Sequence, residues 1–373
     1  MAGAFILCVN AGSSTLKGSL LEASADGGVA EVKGRSVTID RVPSAEALDE
    51  ALAALGVSGP EALCAVGHRV VHGGTEFREP VRVDESVKAA IARLSVLAPL
   101  HNPPALAAIQ AAERRFPNVP HVAAFDTAFF ADLPPERVVY SLPYEWYERW
   151  GVRRFGFHGL SHQYASGRAQ AMLGGGRQRV VVLHLGNGCS ASAVVEGNPV
   201  ATTMGFTPME GLMMGTRSGS VDPGILLYAT REKGLTVEAL DDALNHRSGL
   251  LGVSGVSGDF RAVAAAAGEG HERACLALAI YADRARAVVG SLATAMGGID
   301  ALVFTAGVGE HAASMRADIC RGLEFLGLAI DLYRNAPAVP DADVSLAGGT
   351  GRILVIQARE DVMIARAARA AIG

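Results

Sequence analysis

The sequence predicts an α/β protein built from two related halves. Its 373 residues exceed the usual size of a single hydrophobic core, so two domains are expected. Three short apolar runs end in turns of small residues, as buried strands do, at residues 5–9, 180–185 and 301–305. Helical segments separate these runs, and strands that alternate with helices are typical of α/β architecture.

The first two apolar runs predict β-hairpins. After each Gly/Ser-rich turn the chain becomes apolar again at once, over residues 16–21 and 191–195, so the turn would form the hairpin tip. These hairpins lie in different halves of the chain, which indicates a duplicated domain with a site between the halves. After the third run the pattern is helical, from about residue 312 to residue 326.

Helical patterns fill much of the remaining chain. A helix is predicted over residues 44–55 with Ser44 as its cap, and another over 103–116 with Pro103 in its first turn. Three further segments are rich in alanine and favour helices, at 259–267, 272–296 and 361–372. A Pro-rich and aromatic stretch at 133–150 marks the expected domain boundary.

Composition excludes several classes of protein. Half of the residues are apolar, 19% are charged and the net charge is −5, without a block of Lys or Arg, so neither nucleic acid nor an anionic membrane is an expected partner. Residues 287–309 carry one charge, and Gly297-Gly298 interrupts them, so we expect a helix end, a turn and a strand rather than a membrane span. Five scattered cysteines and an N-terminus without a basic leader indicate a reduced, cytoplasmic protein.

One turn has the composition of a phosphate-binding loop. Asn10-Ala-Gly-Ser-Ser-Thr15-Leu-Lys17 offers backbone N–H groups, hydroxyls and one cation to phosphate oxygens, although an ordinary hairpin turn has the same residue types. The P-loop pattern Gly-Lys-Ser/Thr is absent from the sequence. Gly-x-Gly-x-x-Ala occurs at Gly186 and at Gly307, but no acidic residue follows at the distance that a dinucleotide site requires, which argues against a nicotinamide dehydrogenase.

Several charged or polar residues stand in glycine-rich or apolar surroundings. Arg69 and Arg217 have glycines and few acids nearby, which favours binding of an anion, with a buried ion pair as the alternative. His158 and His162 have a metal-ligand spacing, but the glycines around His158 argue against zinc. His101 and Asp126 each lie between apolar residues; Asp126, between two phenylalanines, is a candidate catalytic carboxylate.

Taken in order, these segments resemble the acetokinase family from Asn10 to about Glu360. The family belongs to the superfamily of sugar kinases, Hsp70 and actin. The resemblance implies two duplicated ribonuclease H-like (actin-like ATPase) domains with the active site in the interdomain cleft. It implies an N-terminal domain of residues 1–133 plus about 361–373, and a C-terminal domain of residues 134–360 that carries most of the nucleotide site.

The resemblance also implies an activity. Family members transfer the γ-phosphoryl of ATP reversibly and in line to acetate, giving acetyl phosphate and ADP, with Mg²⁺ that Mn²⁺ can replace. It implies a cytoplasmic homodimer with a place in acetyl-CoA biosynthesis. A propionate or butyrate kinase of the same family is the alternative within this class. A nucleotide-switched binding module like Hsp70 or actin is the alternative outside it, but such a module needs neither the two arginines nor an apolar pocket.

Roles follow for the residues that match the family's motifs. The catalytic residues would be Asp126, Arg69, Arg217, His158 and His101, and the metal ligands Asn10 and Glu360. The nucleotide would be bound by Ser13, Thr15, Lys17, His184, Leu185, Gly186, Asn187, Gly188, Asp259, Phe260, Arg261, Gly307, Val308, Gly309, Glu310 and His311. The acyl group would contact Arg69, Val71, Leu100, Phe157 and Pro208.

Some positions depart from the family's pattern. Thr15 replaces a usual Ser but keeps the hydroxyl, and His311 replaces a usual Asn, which affects the contacts to adenine. Residues 357–361 read Gln-Ala-Arg-Glu-Asp instead of Pro-Thr-Asn-Glu-Glu, so either Glu360 or Asp361 would be the metal carboxylate, with Glu360 preferred by alignment. Because a carboxylate acceptor is already ionised at neutral pH, Asp126 is expected to orient Arg69, Arg217 or Mg²⁺ rather than remove a proton.

Overall fold

The computed structural model describes residues 5–12, 15–23, 29–176 and 178–373. The strands are β1 (Phe5–Ala11), β2 (Leu16–Ala23), β3 (Val29–Ile39), β4 (Leu63–Val70), β5 (Val81–Arg82), β6 (His121–Phe125), β7 (Arg179–Leu185), β8 (Cys189–Val195), β9 (Asn198–Thr202), β10 (Ala301–Thr305), β11 (Ala342–Asp343) and β12 (Arg352–Val355). The helices are α1 (Ala45–Leu55), α2 (Glu85–Leu94), α3 (Asn102–Arg115), α4 (Pro135–Val138), α5 (Tyr144–Trp150), α6 (Gly159–Leu173), α7 (Pro223–Lys233), α8 (Val237–His246), α9 (Gly249–Ser254), α10 (Phe260–Gly268), α11 (Glu272–Ala295), α12 (Ala306–His311), α13 (Ala313–Cys320), α14 (Leu332–Asn335) and α15 (Glu360–Ile372).

The two sheets have the same topology. The first has the strand order β3-β2-β1-β4-β6-β5, in which β1, β4 and β6 are parallel and the outer strands pair antiparallel. The second has the order β9-β8-β7-β10-β12-β11 with the same directions, so that β7, β10 and β12 are its parallel strands. This correspondence confirms the duplicated α/β fold.

The chain forms two compact units. The first unit comprises Met1–Asp132, Phe157–Tyr164 and Arg359–Gly373, and the second comprises Leu133–Gly156 and Ala165–Ala358. The predicted C-terminal domain, residues 134–360, included Phe157–Tyr164, whereas the structure places this segment in the first unit. The physical reason is close packing: Leu160 lies in the core beneath the first sheet, and Gly159 lies against the backbone of Asp126.

Helices cover both faces of the first sheet. Because side chains alternate along a strand, Leu7 and Val9 face one core with α1 and α3, while Ile6 and Cys8 face another core with α15. Helix α15 packs closely on β4, where Gly67 has no side chain. A Cβ at this position would lie only 2.6 Å from Cγ2 of Ile364. This glycine therefore fixes how near the start of α15 comes to the parallel strands.

In the second unit the central strands are buried and helices pack around them. Every residue of β10, and every residue of β7 except its first, is buried. Helix α11 packs against β7, β8 and β9, and α12 begins directly at the end of β10 and packs on β7. The ends of β7 and β10 are therefore held side by side.

Most predicted elements are confirmed, but the helix predicted after β10 has different bounds. Both hairpins form, and Ser44 caps α1 by accepting a hydrogen bond from the amide of Ala47. After β10 a helix, α12, starts at Ala306 rather than near residue 312, because the small residues of 306–309 form a helical turn instead of a loop. The next helix, α13, ends at Cys320 rather than near residue 326. Within the described residues, no helix combines the length and the apolar character needed to cross a bilayer.

Candidate active site

Three predicted site residues meet at one edge of the first sheet. Asn10 lies near the end of β1, Arg69 near the end of β4, and Asp126 directly after β6. The parallel register aligns these ends, since Val9 pairs with His68 and Arg69 pairs with Ala124. The carboxyl ends of parallel strands are where α/β proteins build ligand sites.

Arg69 is the centre of this cluster. Its Nε and Nη2 donate to both carboxylate oxygens of Asp126, at 3.0 and 2.6 Å, in a bidentate ion pair. Its Nη1 donates to Oδ1 of Asn10 at 3.1 Å and lies 3.4 Å from Oε2 of Glu360. The amide of Asn10 in turn donates to the same Glu360 oxygen at 2.7 Å. Four predicted residues from three strand ends and one helix are thus in direct contact.

The geometry separates Glu360 from Asp361. Glu360 is the first residue of α15 and its carboxylate faces Asn10 and Arg69. Asp361 instead accepts two hydrogen bonds from Arg359, each 3.0 Å long. Of these two acids, Glu360 is therefore the one whose carboxylate contacts Asn10 and Arg69.

The cluster is charged although it is partly buried. Burial raises the pKa of Asp126, and Glu360 raises it further, whereas the two donors of Arg69 favour the carboxylate. Burial acts to lower the pKa of Arg69, but the two carboxylates outweigh it and the pKa is raised. Because Arg69 stays a cation and holds Asp126 in bidentate geometry, we assign the pair as ionised at neutral pH.

His158 lies beside Asp126 in a strained conformation. Its φ of 57° is in the left-handed region, which a non-glycine residue adopts at a cost of about 1–3 kcal/mol. Its backbone amide donates to the Asp126 carboxylate. The next residue must be glycine, because a Cβ at Gly159 would lie 1.9 Å from the carbonyl oxygen of Asp126. The backbone of His158 is thereby held beside Asp126, and its side chain is half-buried.

The oxygen ligands of this cluster suit Mg²⁺. No group of three His, Cys, Asp or Glu side chains that could hold a metal ion occurs in the part of the chain that the structure describes. Asp126 and Glu360 nevertheless supply two carboxylates, and Asn10 supplies an amide oxygen. Magnesium is commonly bound by one or two carboxylates together with water and substrate phosphates, so this set fits it, and Mn²⁺ accepts the same ligands.

The hairpin turn after β1 presents polar groups at the same edge. The amide of Gly12 donates to the carbonyl of Thr15 at 2.8 Å, which closes the turn. Lys17 is exposed and pairs with Asn10 across the hairpin, so both side chains project from one face. Ser13, the third predicted phosphate ligand, lies outside the described residues.

The predicted acyl contacts differ in burial. Val71 and Phe157 are buried, and Phe157 packs edge-to-face against His72 with ring centroids 5.3 Å apart. Leu100 is 43% exposed, and His101 next to it is half-buried at the start of α3. Pro208 belongs to the second unit, where it is half-buried. Within the first unit, Val71 and Phe157 are therefore the enclosed apolar contacts.

The predicted nucleotide motifs of the second unit come together. His184 pairs with Thr305 in the parallel register, which places the turn of Gly186, Asn187 and Gly188 beside the start of α12. Gly215 joins this group, because its amide donates to the carbonyl of Asn187 at 3.0 Å. A Cβ at Gly215 would lie 2.6 Å from the carbonyl oxygen of Gly258, the residue before Asp259. Four separate segments thus meet through close backbone contacts.

Within these motifs the side chains have different surroundings. Leu185 is buried and His184 nearly so, whereas Asn187, Asp259, Arg261, Gly307 and His311 are exposed, and Val308 and Phe260 are half-buried. Asp259 caps α10 and forms an ion pair with Arg261 at 2.7 Å. Glu310 is buried together with Gly309, and its carboxylate accepts a hydrogen bond from the amide of Ala358 at 2.8 Å. In this structure Glu310 thus supports the end of the second sheet.

Arg217 differs sharply from Arg69. Its guanidinium donates to the carbonyl of Pro208, and no carboxylate of the described residues lies within ion-pair distance of it. Burial lowers its pKa, the expected sign for a desolvated cation without a counter-ion. The nearby thiol of Cys189 does not compensate the charge, since burial raises its pKa to about 11. Arg217 therefore offers an uncompensated positive charge to an anion.

Two residues beside the nucleotide motif, Arg316 and Asn335, were not predicted from the sequence. Arg316 is fully buried in α13 and donates to the carbonyls of Gly309 and Glu310, at 2.9 and 2.8 Å, and to both oxygens of Asn335. It thereby ties the predicted nucleotide motif to α14. One sequence feature could have revealed it: Arg316 shares a helix face with Ile319 and Cys320, where a cation requires a polar partner.

Comparisons with known proteins identify the family of the chain. The family model of the acetokinase family matches residues 44–366. The acetate kinase of a Cyanothece strain is 51% identical over 83% of this chain and 76% of its own, and that of Nostoc punctiforme is 44% identical over 97% and 98%.

Solved structures give the same result. The acetate kinase of Porphyromonas gingivalis matches with a TM-score of 0.88 and 36% identity over 100% of both chains. A propionate kinase of Francisella tularensis also has a TM-score of 0.88 and 36% identity, over 98% of this chain and 99% of its own. These structures share the fold of two duplicated actin-like ATPase domains, and the chain belongs to the acetokinase family.

Proposed function

We propose that this protein is an enzyme that transfers the γ-phosphoryl group of ATP to acetate, reversibly and in line, with acetyl phosphate and ADP as products. The observation that carries the proposal is the contrast between two arginines. Arg69 is fixed by two carboxylates, while Arg217 is desolvated and uncompensated. Relatives named acetate kinase, at 51% and 44% identity, support acetate as the acceptor.

The acceptor needs orientation more than activation. A carboxylate is already ionised at neutral pH, so a general base is not required. Both oxygens of Asp126 are occupied by Arg69, which makes Asp126 a positioning group for that arginine. Arg69 then holds the acceptor or the transferring group, while Val71 and Phe157 pack against the acyl chain.

Charge neutralisation supplies most of the rate enhancement in phosphoryl transfer. Arg217 brings an uncompensated cation, and the backbone of His158 is hydrogen-bonded to Asp126, the partner of Arg69. We assign Arg217 and His158 to the oxygens of the transferring phosphoryl. His101 lies near the start of α3 and is assigned a supporting role in the same step.

Mg²⁺ or Mn²⁺ bound with ATP would neutralise phosphate charge. Asn10 and Glu360 are the residues assigned to hold it, beside the Asp126 carboxylate that Arg69 binds. Thr15, Lys17 and Ser13 of the hairpin turn are assigned to the phosphates. The adjoining glycine-rich segments of the second unit, from Gly186, Gly215, Gly258 and Gly307, are assigned to the nucleotide.

Propionate is the second candidate acceptor. The Francisella propionate kinase matches this structure as well as the Porphyromonas acetate kinase does. One extra methylene changes binding by only about 1–3 kcal/mol. Leu100, an assigned acyl contact, is partly exposed, and its exposure gives no reason to limit the acyl chain to a methyl group.

The test is acyl phosphate formation from ATP with acetate, propionate and butyrate, trapped as hydroxamate. We expect the highest kcat/KM with acetate and a measurable but lower value with propionate. A clearly higher kcat/KM with butyrate would contradict acetate as the substrate. Activity with none of the three would contradict the reaction class.

We also propose that the protein is a homodimer. Helices α7 and α8 bury no residue within the chain, although they expose Ile225, Leu227, Tyr228 and Val237. Two helices with this much exposed apolar surface are typical of a protein–protein interface.

A cytoplasmic location is proposed from the thiols. The cysteines at positions 8, 64, 189, 275 and 320 are all free of disulfides. Unpaired cysteines are typical of a reducing compartment. Acetyl phosphate made there would feed acetyl-CoA biosynthesis.

A further inference from the structure

The segment that carries Arg217 has no regular secondary structure. It runs from the end of β9 at Thr202 to the start of α7 at Pro223. A long irregular segment needs side-chain contacts to hold one conformation. Its own acidic residues are Glu210 and Asp222, and either could in principle neutralise Arg217.

Both acids are engaged elsewhere. Asp222 caps α7 by accepting from the amide of Gly224 at 2.8 Å. Glu210 accepts from Nη2 of Arg154 at 2.7 Å through one oxygen and from the hydroxyl of Tyr140 through the other. The acidic groups nearest to Arg217 along the chain are therefore bound to other partners.

Arg154 and Tyr140 also grip the backbone of the segment. Nη1 of Arg154 donates to the carbonyls of Thr203 and Met204, at 2.9 and 3.0 Å, and the Tyr140 hydroxyl accepts from the amide of Phe206 at 2.9 Å. The guanidinium of Arg154 lies 5.2 Å from the centre of the Tyr140 ring. The residues before Pro208 are thus fixed by two side chains from outside the segment.

The packing around Gly205 leaves no space for a side chain. A Cβ at Gly205 would lie 1.7 Å from Oε2 of Glu210 and 2.0 Å from the Tyr140 hydroxyl. The carbonyl of Gly205 accepts from the amide of Phe155 at 3.0 Å. Pro208, two residues before Glu210, then presents the carbonyl that accepts from Arg217.

We propose that Tyr140, Arg154 and Glu210 are positioning residues for Arg217. Together they hold the Pro208 carbonyl where it orients the guanidinium of Arg217. By binding both oxygens of Glu210, Arg154 and Tyr140 also keep this carboxylate from neutralising the guanidinium. None of the three needs to touch substrate. The inference rests on the proposed function, because Arg217 is assigned there to the acceptor and the transferring phosphoryl.

The test compares Glu210→Gln with a matched control, Asp300→Asn. Asp300 forms an ion pair of the same length, 2.7 Å, with Arg179 in the same unit, and its carboxylate is 34% exposed against 33% for Glu210. We expect Glu210→Gln to lower kcat/KM for acetate at least tenfold, with KM for ATP changed less than twofold, because small displacements of a catalytic group are costly. The control should keep near wild-type activity.

A double-mutant cycle separates positioning from general destabilisation. In an Arg217→Ala background, Glu210→Gln should cause no further loss of kcat/KM, since the group it positions is absent. Should Glu210→Gln fail to fold, Tyr140→Phe, which removes one oxygen, decides the matter by the same comparison. Losses that multiply in the double variant, or a Glu210→Gln enzyme as active as the control, would overturn the inference.

The outcome also distinguishes the two proposals. If the wild-type protein forms no acyl phosphate, the proposed function fails and the role of the cluster fails with it. If the wild-type protein is active while the cluster variants behave like Asp300→Asn, the inference alone fails.

Discussion

Arg69 and Arg217 differ in how the positive charge of the side chain is balanced. Arg69 lies between Asp126 and Glu360, so its charge is locally balanced and its geometry is fixed. Arg217 has a carbonyl oxygen as its partner and keeps its charge for an anion. A charge kept in place before the reaction needs no reorganisation during it.

This contrast predicts different effects on stability. Arg69→Ala leaves the buried carboxylate of Asp126 without its cation, which costs about 3–5 kcal/mol for a buried pair. Arg217→Ala removes an uncompensated desolvated charge, so the free energy of unfolding should not fall. Both substitutions should lower kcat/KM for acetate by roughly 10²–10³-fold, the effect of losing one preorganised donor. Urea denaturation and steady-state kinetics measure the two effects, and equal destabilisation by both variants would contradict the assignment.

At the scale of elements, the start of α6 makes a tight contact with the backbone at the end of β6. Gly159 lies so close to the carbonyl of Asp126 that any side chain would displace one of them. The strained backbone of His158 immediately precedes it. The start of α6 and the end of β6 therefore together define the positions of His158 and Asp126.

A pair of glycine substitutions in α6 tests this contact. Gly159→Ala should destabilise the protein by about 1–3 kcal/mol or more through overpacking, and it should lower kcat by displacing His158 and Asp126. Gly167→Ala is the matched control, because its Cβ would meet no atom within 4 Å, and it should stabilise α6 by about 0.5–1 kcal/mol. Thermal unfolding and kcat report both. An active, stable Gly159→Ala enzyme would show that the contact is not tight.

Helices α7 and α8 carry the prediction on assembly. Leu227→Glu places a charge on the exposed apolar face of α7 and should turn a dimer into a monomer. Phe325→Glu is the control, since Phe325 is also exposed but lies outside these helices. Light scattering after size-exclusion chromatography gives the mass. A wild-type monomer, or a dimer that survives Leu227→Glu but not Phe325→Glu, would refute the proposed interface.

The two hairpins and the contacts of the site differ in how well they can be predicted from the sequence. Both hairpins were predictable because an apolar run, a Gly/Ser turn and a second apolar run depend on local sequence alone. Asp126 was expected to orient Arg69, Arg217 or Mg²⁺, and the choice among them could not be predicted, since it depends on the register between β4 and β6. The role of Glu210 was hidden for the same reason: its partners, Tyr140 and Arg154, lie far away in the sequence.

At the scale of the whole molecule, the free energy of unfolding depends on pH through a buried pair of histidines in the first unit. His68 and His121 share a hydrogen bond of 3.0 Å, and His121 also bonds to the carbonyl of Phe116. Burial lowers the pKa of both, and the pKa of His68 is lowered further by His121. Both histidines are therefore neutral in the folded protein at neutral pH.

Stability should consequently fall in acid. Below the unfolded pKa of about 6.5 the unfolded chain takes up protons that the folded chain refuses, so the free energy of unfolding drops by up to about 1.4 kcal/mol per pH unit for each histidine. This stability is fully present above pH 6.5 and is lost as the pH decreases toward the folded pKa values. Urea denaturation between pH 7.5 and 5.5 measures the slope, and His68→Phe should reduce it. An unchanged slope in that variant would exclude His68 as a source.

The central claim is that ATP is consumed by transfer to a carboxylate and not by hydrolysis. The most direct measurement counts ADP and acetyl phosphate in the same reaction, with Mg²⁺ and ATP, in the presence and absence of acetate. We predict little ADP without acetate and one acetyl phosphate for each ADP when acetate is added. ADP formed at the same rate without acetate, or with no acetyl phosphate beside it, would contradict the account.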